Sequence, residues 1–479
     1  SFKIVIRALL FIFLSNLFKM CIFSCYLKLQ FIKKKRFILL VLLLTFITSV
    51  IGQQRGFRFI NKEKNYVDLD FELINNIIVI PIEINKKKLN FILDTGVNKT
   101  IVFSSSKADT ISSDIDQKFK LSGLGKGLPI EAIVLKNNTF KIKNLISRNN
   151  NVFVVLKDNF DFSSKMGITI HGVIGFDLLK NLILRINFKS KKIRFYKPAT
   201  FKYKECKKCE TFPLTIFQKK PYIVASIVLK QNSKKIPVNM LLDSGGSDAI
   251  WLFEHSKKDI TTPEVYFTDF LGVGLSGTIY GKRSRLFSLT IGRFLFKNPT
   301  VSFLDSISSK KARQYNERNG SIGNDILKRF KVWIDYPNKK LTLQKNGSFT
   351  TGFNYNMSGI EVVYNGKILV KEASRNSAES FGNTPDPNSA RNSVSIITNY
   401  VYKFKPSFKI NEVLKGSPAD IAGVLKDDVI MKINGKAVYN YKLEDIIARF
   451  QEEDQKIIRL TVLRGVNILT INFKLKKII

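Results

Sequence analysis

The sequence predicts a mainly β protein: two similar β-barrel lobes in tandem, followed by a small α+β domain. Three observations carry this expectation. A short apolar run ending in an acid, a hydroxyl and a glycine is written twice, as FILDTG at residues 91–96 and MLLDSG at residues 240–245. Glycine landmarks follow both copies at matching distances, and beyond Lys345 the pattern of turns and periodic segments changes.

In chain order, the first element is a targeting region. Lys33-Lys34-Lys35-Arg36 precede the apolar run FILLVLLLTFITSV at residues 37–50 and then IGQQ, the order of basic, apolar and small residues in a secretory signal. Residues 1–52 are therefore expected to be an N-terminal hydrophobic targeting region cut after Gly52, giving an exported protein, periplasmic or secreted. Residues 4–32 are also apolar, so retention as a membrane anchor is the second expectation. Because Met20 sits nearer the basic cluster than Ser1 does, the chain is expected to run upstream of its natural start.

Residues 66–200 form the first expected lobe. Two β-rich runs, 77–84 and 89–93, flank the polar turn NKKK and lead into the first triad, Asp94, Thr95 and Gly96. A strand at 100–103 follows, then LSGLGKG, whose Gly123 and Gly125 allow a tight hairpin bend. GVIGFDLLKN and the strand LILRINFKSKKIRFY close the lobe. Residues 201–212 read as a linker holding Cys206 and Cys209. With Cys21 and Cys25 in the targeting region and only His171 and His255 available, these two lack the partners of a metal shell, and a local disulfide is expected instead.

The second lobe, 213–346, repeats the order. Runs 222–229 and 236–242 flank KQNSKK and enter the triad Asp243, Ser244 and Gly245; a strand at 249–253 and LGVGLSG follow. Gly123 and Gly125 lie 29 and 31 residues after Asp94, and Gly272 and Gly274 lie 29 and 31 after Asp243. Gly175 follows Asp94 by 81, Gly323 follows Asp243 by 80, and both precede a short helical run. Asp177 and Asp325, at the start of those runs, are expected to cap them.

One Asp-Thr-Gly alone reads as a strand running into a turn. Two in register read as a pair, because a buried carboxylate is costly unless it is used or satisfied. Like charges held close cannot both ionise, so two aspartates sharing a proton supply a base for water and an acid for a carbonyl. Asp94 and Asp243 are the catalytic candidates. Thr95 and Ser244 would bond across to the opposite loop, and Gly96 and Gly245 would let the backbone approach the dyad.

These motifs resemble the retropepsin-like aspartic proteases, with both lobes of the acid protease fold fused in one chain; the similarity covers about 75–344. The resemblance implies an aspartic endopeptidase acting on a polypeptide without metal or cofactor. It also implies flap hairpins at Gly123 and Gly125 and at Gly272 and Gly274. Tyr280, in the second hairpin, reads first as strand packing and second as a group that bonds near the dyad. The hydrophobic-hydrophobic-Gly beneath each triad would be Val173-Ile174-Gly175 and Ser321-Ile322-Gly323, with Ser321 standing where the pattern has an apolar residue. Val97 and Gly246 depart from the small or hydroxylated residue usual after the triad. That departure keeps open a non-catalytic peptide-binding scaffold of the same fold.

Residues 356–479 read as the α+β domain, with a polar insertion at about 373–403 rich in Ser and Asn. Ser417 and Pro418 have the form of a helix start and Gly423 of its end. GSPADIAG, LKDDVIMKINGK and the closing strands IIRLTVLRG and ILTINFKL resemble a PDZ domain of the bacterial protease-associated type. That resemblance implies capture of a peptide C-terminus by strand addition, with its carboxylate near Gly359 and Ile360.

Charge excludes less than it first offers. The 479 residues carry 78 Lys and Arg against 38 Asp and Glu, a formal +40. The lysines are scattered through strand-like segments, and no helix-turn-helix, zinc-finger or RNA-binding signature accompanies them. A solvated basic surface is expected rather than a nucleic-acid site.

Overall fold

The computed structural model describes residues 17, 19–20, 56–103, 115–155, 161–203, 205–374 and 399–479. The targeting signal at 33–52 and most of the expected polar insertion lie outside them. The chain divides into two units, Ser1–Arg55 and Gly56–Ile479, and the second holds every element below. Among the described residues no helix is long and apolar enough to cross a membrane.

Each triad leaves the end of an interior strand. In the first half Lys87–Leu93 runs antiparallel to Ile77–Ile84 and parallel to Gly172–Ile174, with Phe91 opposite Gly172 and Leu93 opposite Ile174. In the second half Ile236–Leu242 runs antiparallel to Lys220–Val228 and parallel to Arg318–Ile322, with Met240 opposite Gly320 and Leu242 opposite Ile322. Phe91, Leu93, Met240 and Leu242 are fully buried. Strands covered on both faces read as continuous apolar runs, which is the form FIL and MLL take.

A third sheet is built by both halves. Ile183–Asn187 pairs antiparallel with Phe330–Asp335, Ile183 facing Asp335, and these two central strands join the lobes through hydrogen bonds. Their inward residues Leu184, Ile186, Val332 and Ile334 are all fully buried in one core that runs through both lobes. Burying such side chains stabilises by roughly 1.5–3 kcal/mol each, which makes the sheet a firm base under the triads. Cys206 and Cys209 are joined in a disulfide just before Cys209–Pro213, the edge strand of this sheet.

The C-terminal region has its own sheet and core, with Ile360, Phe408, Ile446, Phe450 and Leu460 buried together. Ser417 caps the helix Pro418–Ile421 by accepting from the Asp420 N–H, and Gly423 follows in the left-handed region. One expectation changes here. Ile360–Ser374 and Asn399–Val413 pair with two register shifts, Ala373 opposite Tyr400, so residues 373–374 and 399–403 of the expected insertion continue the paired strands. The alternation Tyr400, Tyr402, Phe404 favours an extended ribbon even where these rings are exposed.

Asp177 and Asp325 do not cap their helices. Gly175 and Gly323 hold the capping positions without a side-chain bond, and the two acids lie one residue inside the helix. Asp177 accepts from Thr100 Oγ1 at 3.0 Å and Asp325 pairs with Lys328 at 2.7 Å. The backbone turns so tightly beneath the triad that only glycine fits at the cap, displacing the acid into the first turn, where it still favours the helix dipole.

Candidate active site

The two triads meet at the junction of the lobes. The Asp94 N–H donates to Ile174 O at 2.9 Å and the Asp243 N–H to Ile322 O at 3.0 Å, so each loop is anchored on the strand beside it. Across the junction the Thr95 N–H donates to Ser244 Oγ and the Ser244 N–H to Thr95 Oγ1, both at 3.0 Å. Thr95 Oγ1 then donates to Leu242 O and Ser244 Oγ to Leu93 O at 2.8 Å. Thr95 and Ser244 are completely buried. Buried hydroxyls with every bond satisfied hold one geometry, because leaving any of them unmade costs about 1–3 kcal/mol.

This grip brings the carboxylates of Asp94 and Asp243 within hydrogen-bonding reach of each other. The Gly96 N–H donates to Asp94 Oδ1 at 2.6 Å and the Gly245 N–H to Asp243 Oδ1 at 3.1 Å. Burial, then the charge of Asp243, pushes the Asp94 carboxyl up to about 7. Burial also raises Asp243, against the pull of the Arg318 guanidinium. A dyad raised in this way retains one proton between its members across mildly acidic pH.

Glycine is required by closeness at two positions. A Cβ on Gly245 would fall 2.3 Å from Asp94 Cγ, and one on Gly175 only 2.0 Å from Asp94 O. Gly246 differs, since a Cβ there would meet Asp243 at 3.6 Å, an ordinary contact. Val97 packs on the cleft-side cluster of Ile77, Val79, Ile92 and Ile170, which Val273 and Leu275 of the second flap also cover.

Both expected flaps are hairpins and their tips join. The first spans Ile115–Leu121 and Ile130–Ile142; the second spans Phe267–Gly274 and Gly277–Arg285. The Gly123 N–H donates to Ser276 Oγ at 3.2 Å, the Ser276 N–H to Leu124 O at 3.1 Å and the Gly127 N–H to Ser276 O at 2.6 Å. The Gly125 N–H donates to Ser308 O at 3.4 Å. Gly274 closes its strand beside this junction, while Gly272 lines the cavity that also contains Gly245 and Gly246.

Tyr280 does not reach the dyad. Its hydroxyl donates to Glu412 of the C-terminal domain at 2.9 Å, because its strand position turns the ring outward. Glu361, directly opposite Glu412, pairs with Lys165 at 2.8 Å, and Lys165 lies 4.1 Å from the Phe270 ring of the second flap. The second flap is thus tied to the first strand pair of the C-terminal domain.

The cleft continues into that domain. A cavity of about 1180 Å³ is lined by Ile77, Ile92 and Gly246 at one end and by Gly359, Ile360, Ile447 and Gln451 at the other. Among the described residues Ile360–Ser374 pairs with a strand on one side only, and its other edge lies between the helices Leu443–Arg449 and Phe162–Met166. The Ile360 N–H already donates to Ser358 Oγ at 3.1 Å.

Sequence reasoning missed Lys220, Tyr222 and Arg318, which stand beside the dyad in the second lobe. The charges of Lys220 and Arg318 act on Asp94 and Asp243, and burial lowers both cations from their usual range. The missed signal was a lysine and an arginine where the first repeat has isoleucine.

Residues 80–178 match the family model described as aspartyl protease, and residues 409–464 match that described as PDZ domain. Probable CtpA-like serine proteases of Staphylococcus aureus strains COL and N315 are 33% identical over 69 residues, 14% of this chain and 14% of theirs. The chain thus spans about a seventh of the length of those curated relatives. Among solved structures, the aspartic proteinase from Irpex lacteus aligns at a TM-score of 0.40 and 15% identity, covering 60% of this chain and 99% of that one.

Proposed function

From an aspartyl protease domain and a PDZ domain on one mainly β chain, we propose an aspartic endopeptidase that hydrolyses polypeptide with water activated between Asp94 and Asp243. The observation that carries this reading is the reciprocal pair of bonds between Thr95 and Ser244, which holds the two carboxylates within reach of each other. A protein that only binds peptide has no use for two buried acids forced together. One carboxylate removes a proton from water while the other donates its proton to the peptide carbonyl oxygen. The tetrahedral diol then collapses as a proton passes to the leaving nitrogen, and the dyad regains its single shared proton.

The joined flaps would cover an extended chain and bond its backbone. The PDZ domain, at 356–479, would hold a further stretch of peptide on the edge of Ile360–Ser374, with Gly359 and Ile360 at its start. The protease lobes would span 66–200 and 213–346, linked through 201–212. Export suits the Cys206–Cys209 disulfide, which persists in oxidising compartments.

The test is digestion of a denatured protein mixture across mildly acidic to neutral pH by the parent, Asp94→Asn and Asp243→Asn. Cleavage by the parent and its loss in both variants is expected. A parent that binds extended peptide without cutting it would favour the scaffold reading, for which Val97 and Gly246 are the sequence argument.

A further inference from the structure

The lobes are equivalent at the triads and unlike on the strands that flank them. Val79 lies opposite Ile92, two residues before Asp94, and Tyr222 lies opposite Leu241, two before Asp243. Ile77 and Lys220, two residues earlier on the same strand faces, therefore hold matching places. On the other flank His171 Nδ1 accepts the Asn90 N–H at 3.0 Å, and Asn319 Oδ1 accepts the Asn239 N–H at 2.8 Å. The residues just before these, Ile170 and Arg318, match in turn. The first lobe thus presents Ile77, Val79 and Ile170, all buried in the cleft-side cluster. The second presents Lys220, Tyr222 and Arg318.

We propose that Lys220 and Arg318 form a subsite for an acidic side chain on one side of the scissile bond, opposite an apolar subsite formed by Ile77, Val79 and Ile170. Arg318 is 4% exposed, and its Nε donates to Gly320 O at 3.1 Å. Its Nη2 is buried with no hydrogen-bond partner among the described residues. Lys220 is half-buried. Beside burial, Lys220 feels the repelling charge of Arg318 and the attraction of Asp94 and Asp243, while Arg318 is favoured by Tyr222, which hydrogen-bonds it, and by Asp243 and Asp94. A dyad that shares one proton carries one negative charge, so one of the two cations is left uncompensated. Burying an unpaired charge is costly, and a substrate carboxylate is the group that removes the cost. An extended peptide crossing the pseudo-twofold axis of the dyad sets the residues on its two sides against equivalent pockets of opposite lobes. The pair it fits is one acidic and one apolar residue.

This inference rests on the peptidase reading, and its test separates the two. Fluorescent extended peptides carrying Glu, Gln or Leu beside an apolar residue are titrated against the full chain bearing Asp94→Asn, at low and high salt. The Glu peptide is expected to bind at least about tenfold more tightly than its Gln isostere, with the gap shrinking as salt rises. Lys220→Ile, which installs the first lobe's residue, should remove the gap, and Lys220→Glu should transfer the preference to a Lys peptide. Equal binding of Glu and Gln peptides would overturn the acidic subsite, whatever the parent cleaves. A Glu preference in a parent that cleaves none of the peptides would support the subsite and contradict hydrolysis. Should Lys220→Ile fail to fold, the Glu-to-Gln ratio and its salt dependence in the Asp94→Asn chain still decide.

Discussion

At the triads the two lobes are nearly interchangeable: Thr95 and Ser244 exchange the same two bonds, and each aspartate N–H rests on the carbonyl of the strand beneath it. On the strands flanking the triad strand, Ile77, Val79 and Ile170 of the first lobe stand where the second has Lys220, Tyr222 and Arg318. Symmetry is kept where two carboxylates need matched support and lost where a substrate would be told apart end from end. The residue after each triad follows the second rule. Val97 joins the apolar cluster, whereas a side chain at Gly246 would meet Asp243 only at ordinary contact distance.

The largest expected effects break the symmetric part. Asp94→Asn and Asp243→Asn should each lower kcat/KM by on the order of 10²–10⁴-fold or more, with circular dichroism unchanged. Gly245→Ala should be nearly as damaging, since its Cβ would fall 2.3 Å from Asp94 Cγ. Gly246→Ala should leave activity within about twofold, so adjacent glycines test closeness against residue type. Next come Thr95→Val and Ser244→Ala, each expected to cost about 1–3 kcal/mol in denaturant unfolding. Equal losses would confirm that the grip is reciprocal, and an unequal pair would show that one loop carries it.

A smaller effect comes through pH. Asp94 is raised in the folded chain from its usual range to about 7. The folded state therefore holds more protons than the unfolded one between about pH 4 and pH 7. The stability this contributes is present below pH 4 and lost as pH rises through 7. Asp94→Asn should thus raise the thermal midpoint at pH 8 and do so less at pH 4. The smallest change expected is in Tyr280→Phe, which removes a surface bond to Glu412 worth at most about 1 kcal/mol and should speed hydrogen exchange in the second flap.

The repeat of triads, flap glycines and supporting glycines was legible because the same residue types recur at spacings from the aspartates that agree to within one residue. The unlike pockets were not legible, because on one flank the spacing slips by six residues and on the other the residue types themselves differ. Val79 lies 15 residues before Asp94 whereas Tyr222 lies 21 before Asp243; Ile170 follows by 76 whereas Arg318 follows by 75. Only strand pairing restores the match, since hydrogen-bond register ignores how long the connecting turn is. The helix acids were misjudged for a related reason: a glycine forced by contact with the triad backbone took the cap position. Tyr280 left two readings open because strand alternation decides which way a ring faces, and a one-residue shift reverses it. Residues 399–403 were placed in the polar insertion by their neighbours, although their own aromatic alternation is that of a strand.

The central claim is that Asp94 and Asp243 act as one acid–base pair sharing a proton. It is tested most directly by the pH dependence of kcat/KM on one cleaved peptide, measured for the parent and both Asp→Asn variants. The parent should give a bell whose alkaline limb falls near pH 7, where the shared proton leaves, and neither variant should turn over at any pH. A parent rate that stays level well above pH 8, or a variant within tenfold of the parent, would contradict it.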